Sequence, residues 1–298
     1  MRAFVIGNVA LDETYSISAL PEPGVSIFGA QASRDLGGKG CNQAIVMARC
    51  GLPTTLAATI GSDDRATTIR EALAEEPLTA DLIEANGVAS DLSIILTTPD
   101  GENSVITTRS AASAFTPGRV AHSLRLAEAG DLLVLQGNLA EAATRTALEL
   151  ARHKSMLTAF NPSPLQPWFA NLWPLVDMAF LNQSEAVALT RETGHAAGQC
   201  LIQQGVRTVV LTLGKEGSML VTADTACNVS AVTAPAVDTT GAGDCFMGTA
   251  LASAMLRGSA LDHRALQDAA RASAITVSRR GTRLAFPTVD EMKEILSA

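Results

Sequence analysis

The sequence lacks the patterns that identify secreted, membrane-spanning and disulfide-stabilised proteins. Its first residues lead directly into the strand-like run Phe4–Ile6 with no pattern typical of a signal peptide, and no apolar run is long enough to span a bilayer. The five cysteines contain no C-x-x-C pair, which favours a reducing compartment over a disulfide framework. We therefore expect a cytoplasmic protein.

Basic charge and metal-binding histidine patterns are also scarce. The formal net charge is −8, whereas nucleic acids and membrane surfaces attract a basic protein face. The four histidines are scattered and form no H-E-x-x-H motif, which argues against a zinc hydrolase. We expect small-molecule partners, with no nucleic acid and no membrane. A phosphorylated ligand stays open, because it needs only a local positive potential.

The sequence does contain a regular alternation of strand-like and helical patterns. Hydrophobic residues make up 47% of the 298 positions, enough for a sizeable core. Helical patterns near 139–152, 184–191 and 196–204 separate the strand-like runs of the second half, which are Leu132–Leu135, Met156–Phe160, Met178–Leu181 and Thr208–Thr212. This alternation predicts an α/β fold with a doubly wound, mostly parallel, Rossmann-like sheet.

Two segments do not follow that alternation. Residues 13–34 alternate weakly, and residues 91–108 form two β-rich runs joined by the turn residues 98–103. We expect these segments to form a small β lid on a single domain of residues 1–298. A lid would exclude water from the site that it covers.

The stretch Asp238-Thr239-Thr240-Gly241-Ala242-Gly243-Asp244 comes directly before an apolar helix predicted from Cys245 to Leu256. The first N–H groups of a helix lack intrahelical partners, and glycines let a phosphate approach them closely. A carboxylate at such a place fits a base that takes a proton from a hydroxyl attacking a phosphoryl group. The alternative is a Gly-rich turn followed by an N-capping aspartate.

Polar side chains also follow several predicted strands. Asp12 comes just after the first strand, and in open α/β sheets ligands bind beyond the carboxyl ends of strands. Asn42, in the run Gly37-Gly38-Lys39-Gly40-Cys41-Asn42-Gln43 before another helix, offers a donor and an acceptor to sugar hydroxyls. Each is also compatible with an ordinary loop residue, and Lys39 with a solvated charge. Their joint placement indicates one site at this edge of the sheet.

Together the two Gly-rich stretches resemble the ribokinase-like (PfkB-type) carbohydrate kinase family, and within it most closely the ribokinases. The resemblance covers essentially the whole chain and includes Asn161-Pro162-Ser163-Pro164. It implies the ribokinase fold and an ATP-dependent phosphotransferase that acts on an alcohol group of a sugar. The chain has no G-x-x-x-x-G-K-[ST] motif, so it is not a P-loop kinase.

The resemblance also implies roles for individual residues. Asp244 would be the catalytic base, and Gly241, Ala242 and Gly243 would bind the transferring phosphoryl group. The sugar would face Asp12, Gly38, Lys39, Gly40, Asn42, Gly137 and Asn138. ATP and Mg²⁺ would bind Asn182, Glu185, Thr212, Gly214, Gly217 and Gly243. A monovalent cation, K⁺, would bind Asp238 and Thr240, completed by carbonyls near Thr276, Arg279, Gly281 and Ala285. A homodimer through the lid would also be consistent with this family.

Two positions depart from the ribokinase pattern. The pattern leads us to expect Asn where Ala10 stands and Glu where Gly137 stands. Both expected side chains contact sugar hydroxyls, so their loss should open volume beside the sugar and make ribose a poor substrate. A nucleoside or phosphosugar kinase, with Arg34 and Arg109 as cation sources, is the alternative within the family. A non-catalytic sugar or nucleotide sensor is the alternative outside enzymes.

Overall fold

The computed structural model describes residues 1–99 and 103–297. Residues 100–102 of the predicted lid turn, and the last residue of the predicted domain, lie outside the described residues. The strands are β1 Ala3–Ile6, β2 Ala10–Ile17, β3 Gly29–Gly37, β4 Thr54–Ile60, β5 Thr79–Glu84, β6 Asp91–Thr97, β7 Asn103–Thr107, β8 Leu132–Gln136, β9 Leu157–Asn161, β10 Met178–Asn182, β11 Thr208–Thr212, β12 Ser218–Val221 and β13 Ala226–Val229. The helices are α1 Lys39–Arg49, α2 Asp64–Ala74, α3 Ser110–Ser113, α4 Pro117–Ser123, α5 Glu141–His153, α6 Gln183–Thr190, α7 Gly194–Gln203, α8 Ala242–Arg257, α9 His263–Val277 and α10 Val289–Ser297.

A nine-stranded sheet forms the centre of the molecule, in the order β13-β12-β11-β10-β9-β8-β1-β4-β5. Every neighbouring pair from β11 to β5 is parallel, and the antiparallel pairs are β11–β12 and β12–β13 at one edge. The predicted doubly wound, mostly parallel sheet is therefore confirmed. Because the parallel strands end at one edge, the residues after β1, β8, β9, β10 and β11 come together there.

Helices cover both faces of this sheet, as the two-sided burial of parallel strands requires. Alternate residues of β1 show the division, since Val5 belongs to the core cluster that includes residues of α1, α2, α8, α9 and α10, while Ile6 belongs to the cluster that includes residues of α3 to α7. Helix α8 is buried from Asp244 to Met255. A largely buried helix thus begins with the stretch predicted to bind phosphate.

A second sheet of four strands, in the order β3-β2-β6-β7, contains both segments predicted as a lid. Strand β2 pairs antiparallel with β3 and parallel with β6. Ala10 and Asp12 lie at the start of β2, opposite Gly37 and Asp35 of β3. The lid strands therefore end next to the start of α1.

Helix α8 begins at Ala242, three residues before the predicted start, because Gly241 adopts a left-handed conformation and acts as its N-cap. Strand β5 and the β12–β13 hairpin are additional to the predicted elements. Within residues 1–99 and 103–297, no helix is both long enough and apolar enough to cross a bilayer.

Candidate active site

The first turn of α8 provides an accessible anion-binding backbone. Gly241 has φ 74°, and the Ala242 N–H donates to the carbonyl of Thr239 over 3.3 Å. The next N–H groups, those of Gly243 and Asp244, lie in the first turn, where no intrahelical acceptor exists. A Cβ atom added at Gly243 would meet nothing within 4 Å beyond its chain neighbours and the backbone of its own helix. A ligand can therefore approach this turn from the side of Gly243.

Three donor groups surround the Asp244 carboxylate, which is 5% exposed. Asn42 Nδ2 donates to Oδ2 over 3.0 Å, and Gln43 Nε2 donates to Oδ1 over 2.9 Å. Lys39 Nζ lies 3.8 Å from Oδ1. All three neighbours belong to the first turns of α1, so the two predicted Gly-rich stretches meet at Asp244. Lys39, which the sequence left open as a solvated charge, belongs to this site.

Close backbone contacts hold the start of α1 against β1. Gly38 has φ 92°, and a Cβ atom at Gly40 would lie 2.8 Å from the Cα atom of Gly7. The Cys41 N–H donates to the Asn8 carbonyl over 3.0 Å. Side chains at these glycines would push α1 away from the sheet, and with it the donors to Asp244.

Asp12, on the lid strand β2, is buried over the backbone of Gly37. Its carboxylate accepts hydrogen bonds from the hydroxyls of Ser93 and Thr282, the latter over 3.0 Å. Burial raises the pKa of Asp12 to about 6, and the carboxylates of Asp35 and Asp244 contribute to the rise against the lowering effect of those hydroxyls. Asp12 therefore stands in the same electrostatic field as the candidate base.

A cavity beyond the ends of the central strands joins several predicted residues. It is lined by Lys39, Asn161, Phe180, Leu181, Asn182, Glu185, Thr212, Gly243, Asp244 and Met247. The predicted nucleotide residues Gly214 and Gly217 lie just past Thr212, in the turn from β11 into β12, and do not line this cavity. The candidate base Asp244 and the candidate Mg²⁺ residues Asn182, Glu185 and Thr212 thus line the same cavity.

Asn182 and Glu185 form a reciprocal cap at the start of α6. Asn182 Oδ1 accepts from the Glu185 N–H over 2.8 Å, and Glu185 Oε2 accepts from the Asn182 N–H over 2.9 Å. This arrangement leaves Glu185 Oε1 free of the cap. One open carboxylate oxygen beside phosphates fits Mg²⁺, which usually keeps several waters and takes few protein ligands.

Asp238 connects the two loops predicted to bind a monovalent cation. Its Oδ1 accepts from the Thr240 N–H over 2.9 Å, and its Oδ2 accepts from the Gly281 N–H over 3.1 Å. Arg279 follows α9, Ala285 is buried in the same loop as Gly281, and Thr276 lies in the last turn of α9. The Thr276 carbonyl already accepts from the Arg279 N–H. The possible cation ligands that remain are mostly backbone carbonyl oxygens, and oxygen ligands suit a hard cation such as K⁺.

At the sugar end of the site, the prediction that Gly137 leaves open volume is wrong. A Cβ atom at Gly137 would lie 2.1 Å from the Pro164 carbonyl oxygen, so the backbone of residues 163–164 occupies that space. Asn138 is buried, and its Oδ1 has no partner among the described residues. Ala10 is also fully buried. At Gly137 the departure from the ribokinase pattern therefore coincides with a close approach of the backbone of residues 163–164.

Two residues near the site, Gln43 and Thr282, had no role assigned from the sequence, whereas Asn161 belongs to a motif that carries the resemblance and Gln136 stands beside the altered position Gly137. Gln43 and Gln136 are fully buried and hydrogen-bonded to each other over 2.7 Å, although they are 93 positions apart. Thr282 and Asp12 are 270 positions apart. The available sequence signal was a polar side chain inside an otherwise apolar helix or strand, as at Gln43 and Gln136.

Comparison with known proteins places this arrangement in a family. A ribokinase of Haemophilus influenzae is 28% identical over 301 residues, covering 98% of this chain and 97% of that protein. A deoxyribokinase of Salmonella typhi is 25% identical, covering 100% and 99%. The structure of an Arabidopsis thaliana ribokinase complexed with ribose and ATP superposes with a TM-score of 0.86 at 24% identity, covering 100% and 99%, and establishes the likeness of fold. The model of the pfkB family carbohydrate kinases matches residues 4–289. The chain therefore belongs to the pfkB family of carbohydrate kinases, phosphotransferases that act on a sugar hydroxyl.

Proposed function

We propose that this protein transfers the γ-phosphoryl group of ATP to a hydroxyl of a small, unphosphorylated, furanose-like carbohydrate. The observation that carries the proposal is the position of Asp244, a buried carboxylate bound by α1 within the phosphate-accessible first turn of α8. A proton acceptor and an anion-binding backbone are thereby placed side by side. Phosphoryl transfer needs this combination, because its catalysis depends mainly on positioning and electrostatic stabilisation.

In the proposed mechanism, Asp244 accepts the proton of the attacking sugar hydroxyl. Lys39 offsets negative charge near the carboxylate. The turn of Gly241, Ala242 and Gly243 would donate N–H groups to the transferring phosphoryl oxygens, and the Ala242 N–H would exchange its bond to the Thr239 carbonyl for one of them. The lid covers the sugar and excludes water, the competing acceptor. Gly38, Gly40 and Asn42 would face the sugar from α1.

ATP and Mg²⁺ are the proposed co-substrate and metal. Bound Mg²⁺ would neutralise phosphate charge during transfer. Asn182, Glu185 and Thr212 would hold it and its waters at one end of the cavity, with Gly214 and Gly217 further along the nucleotide. The open Glu185 Oε1 supports this assignment.

A monovalent cation, K⁺, is proposed between the loops joined by Asp238. Since both Asp238 oxygens already accept backbone N–H groups, the carbonyls of Thr240, Arg279, Gly281 and Ala285 would supply most of the ligands. A cation there would fix the shape and field of the adjacent anion-binding turn. Activity should rise when K⁺ replaces a bulky organic cation at constant ionic strength, and a flat response would remove this site.

For the substrate, we propose that D-ribose is poorer than another furanose-like sugar. Ala10 has no polar side chain, and Gly137 cannot gain one without displacing Pro164. Two lost hydrogen bonds at about 1–1.5 kcal/mol each correspond to roughly 30–150-fold in kcat/KM. A sugar that lacks a hydroxyl would not need those partners. One relative is named as a deoxyribokinase. Asn138 Oδ1, buried and without a described partner, offers a replacement contact.

Of the two arginines named as cation sources for a phosphosugar, Arg34 is already paired, which favours an unphosphorylated substrate. Arg34 Nε lies 3.5 Å from Glu13 Oε1, so a lid carboxylate already offsets that guanidinium, and Lys39 faces Asp244. A sensor would not require a base held by two amide donors. Nucleosides stay an alternative within the family.

The test is ADP release over a panel of pentoses, ketoses, deoxysugars, nucleosides and hexose phosphates, with Asp244→Asn as the background control. We expect the highest kcat/KM for an unphosphorylated furanose-like sugar other than ribose. Ribose as the best substrate would overturn the substrate assignment, and binding of a panel compound without turnover would favour the sensor.

The lid and the cysteines support two further parts of the proposal. Phe28, Val105 and Ile106 of the lid region are 100%, 54% and 62% exposed, which supports a homodimer through the lid. Sedimentation of the protein and of Phe28→Asp tests it, since only the former should dimerise. All five cysteines are free, which supports a reducing, cytoplasmic location.

A further inference from the structure

Gln136, the last residue of β8, connects the central sheet to Asp244 through a second amide. Its Nε2 donates to Gln43 Oε1 over 2.7 Å, and Gln43 Nε2 donates to Asp244 Oδ1 over 2.9 Å. Both glutamines are 0% exposed. The three side chains therefore form a buried chain of hydrogen bonds that runs from β8 through α1 to α8.

The direction of this chain is fixed at its Asp244 end. An ionised carboxylate only accepts hydrogen bonds, so Gln43 must turn its NH₂ group towards Asp244. Its carbonyl oxygen then faces Gln136, which must in turn present an NH₂ group. The orientation of each amide follows from its neighbour.

The fold makes specific room for the Gln136 amide. A Cβ atom at Gly7 would lie 2.1 Å from Gln136 Oε1, and one at Gly40 would lie 2.8 Å from the Gly7 Cα atom. Gln136 Oε1 is itself buried and has no partner among the described residues. A leucine or methionine would avoid leaving that acceptor unpaired, so packing alone does not account for an amide here.

We propose that Gln136 is a positioning residue for phosphoryl transfer, which orients the Gln43 amide so that it donates to Asp244. The inference rests on the proposed role of Asp244 as the base. Asn42 holds the other carboxylate oxygen, so Gln136 and Gln43 determine whether both oxygens are held at once. A carboxylate held at one oxygen can rotate away from the attacking hydroxyl, which lowers turnover more than substrate binding.

Two substitutions of Gln136 distinguish its role in orienting the Gln43 amide from its role in packing. Gln136→Met keeps the length but cannot donate, and should lower kcat about 5–10-fold with the KM for ATP unchanged. Gln136→Glu places a second acceptor against Gln43 when ionised, which turns the Gln43 carbonyl towards Asp244. Its kcat should fall about 100-fold or more at neutral pH.

The Gln136→Glu variant also has a distinctive pH profile. Its introduced carboxyl can donate to Gln43 when neutral but not when ionised, so its kcat relative to wild type should fall as pH rises from about 5.5 to 8.5. The charged groups facing this site are Asp244, Lys39 and Asp12. They are present in both proteins, so the ratio to wild type isolates the introduced group.

Rates would be measured with ATP and D-ribose and with ATP and 2-deoxy-D-ribose. A double-variant cycle tests the route: if Gln136 acts through Gln43, Gln43→Met and Gln43→Met/Gln136→Met should have equal kcat within about twofold. Val134→Ala, on the same strand and the same face, should lower the unfolding midpoint without changing kcat per folded molecule. Multiplicative losses, or a Gln136→Met kcat within twofold of wild type, would overturn the proposal.

A readout without a sugar substrate completes the test. In amide NMR spectra, Asp244→Asn should shift the side-chain NH₂ signals of both Gln43 and Gln136, identified by their loss in the methionine variants. Unmoved Gln136 signals would overturn the chain of hydrogen bonds. Normal turnover in Asp244→Asn would overturn the proposed base and this inference together, whereas an inactive Asp244→Asn with normal Gln136 variants would overturn this inference alone.

Discussion

The α1 side of the candidate site is buried and hydrogen-bonded, whereas the side at the ends of β10 and β11 faces solvent. On the first side, Asn42, Gln43 and Asp244 are at most 5% exposed and bonded to one another. On the second side, Asn182 is exposed and bonded through the α6 cap. The proposed base is thus held by side-chain contacts within the protein, while the proposed nucleotide groups depend on local backbone structure.

This difference separates two kinds of sensitivity. Changes on the buried side remove interactions that are already made, so they should affect chemistry or global stability strongly. Changes on the exposed side should affect one helix cap and the affinity for nucleotide. Four substitutions test this contrast, beginning with the change of largest expected effect.

Asp244→Asn should have the largest effect. It removes the proposed proton acceptor but keeps the size of a side chain that Asn42 and Gln43 surround. Turnover should fall by about 10²–10⁴-fold, the usual contribution of general-base catalysis. Steady-state kinetics measures the loss, and calorimetric titration with ATP should show nearly unchanged binding. Wild-type turnover in this variant would contradict the role.

Arg49→Met should have the largest effect on stability. Arg49 ends α1 and pairs in a bidentate manner with Glu76, over 2.6 and 2.9 Å, with side chains 13% and 4% exposed. Removing one partner of a buried ion pair costs about 3–5 kcal/mol, and we expect the lower end because Arg283 also reaches Glu76.

Chemical denaturation would measure the change in unfolding free energy after Arg49→Met. The control is Arg70→Met, which breaks an exposed pair with Glu84 and should cost at most about 1 kcal/mol. Equal losses from the two variants would contradict the claim that the α1 side is held by buried interactions.

Asp12→Asn should stabilise the folded protein at neutral pH but lower its catalytic efficiency with the sugar. Burial raises the pKa of Asp12 from 3.8 to about 6, so the folded state binds a proton more tightly than the unfolded state. Stability therefore falls as pH rises from about 4 to 6, by at most about 3 kcal/mol, and the cost persists above pH 6. Asparagine carries no charge and should recover this free energy at neutral pH.

Unfolding at about pH 7.5 and at about pH 4 would measure the gain in Asp12→Asn, which should be present at the higher pH and vanish at the lower. Sugar kcat/KM should fall, because Asp12 is a proposed sugar contact. The matched control is Asp35→Asn, which weakens contacts to Arg283 and to the Leu284 N–H and should destabilise instead. A destabilised Asp12→Asn at neutral pH would contradict the assigned cost of burial.

The central sheet could be predicted from the sequence because its strands are short apolar runs separated by helical patterns. Strand β5, Thr79–Glu84, escaped prediction because it is an edge strand with mostly half-exposed or exposed residues. At the other edge, β13 is likewise mostly half-exposed or exposed, whereas β12 is short and mostly buried. Partial burial weakens the apolar pattern on which strand prediction depends.

From the sequence, only the parts of the site that belong to local motifs could be predicted. The Gly-rich stretches predicted that Lys39, Asn42 and Asp244 share a site, and the structure brings them together. The Gln136–Gln43 and Asp12–Thr282 contacts join distant parts of the chain and follow no local pattern. The space at Gly137 also depends on a neighbouring loop, so no reading of residue types alone could show that it is filled.

Asn182→Ala, on the exposed side, should have the smallest effect. It removes the Asn182 Oδ1 acceptor of the α6 cap, which costs about 1 kcal/mol of stability. The control is Asn182→Asp, which keeps the acceptor and should keep the stability. If Asn182 also helps to hold Mg²⁺ and its waters, Asn182→Ala should raise the KM for MgATP several-fold at unchanged sugar KM, and added Mg²⁺ should reduce that rise. A loss of stability as large as that of Arg49→Met would show that this side is held as firmly as the buried one.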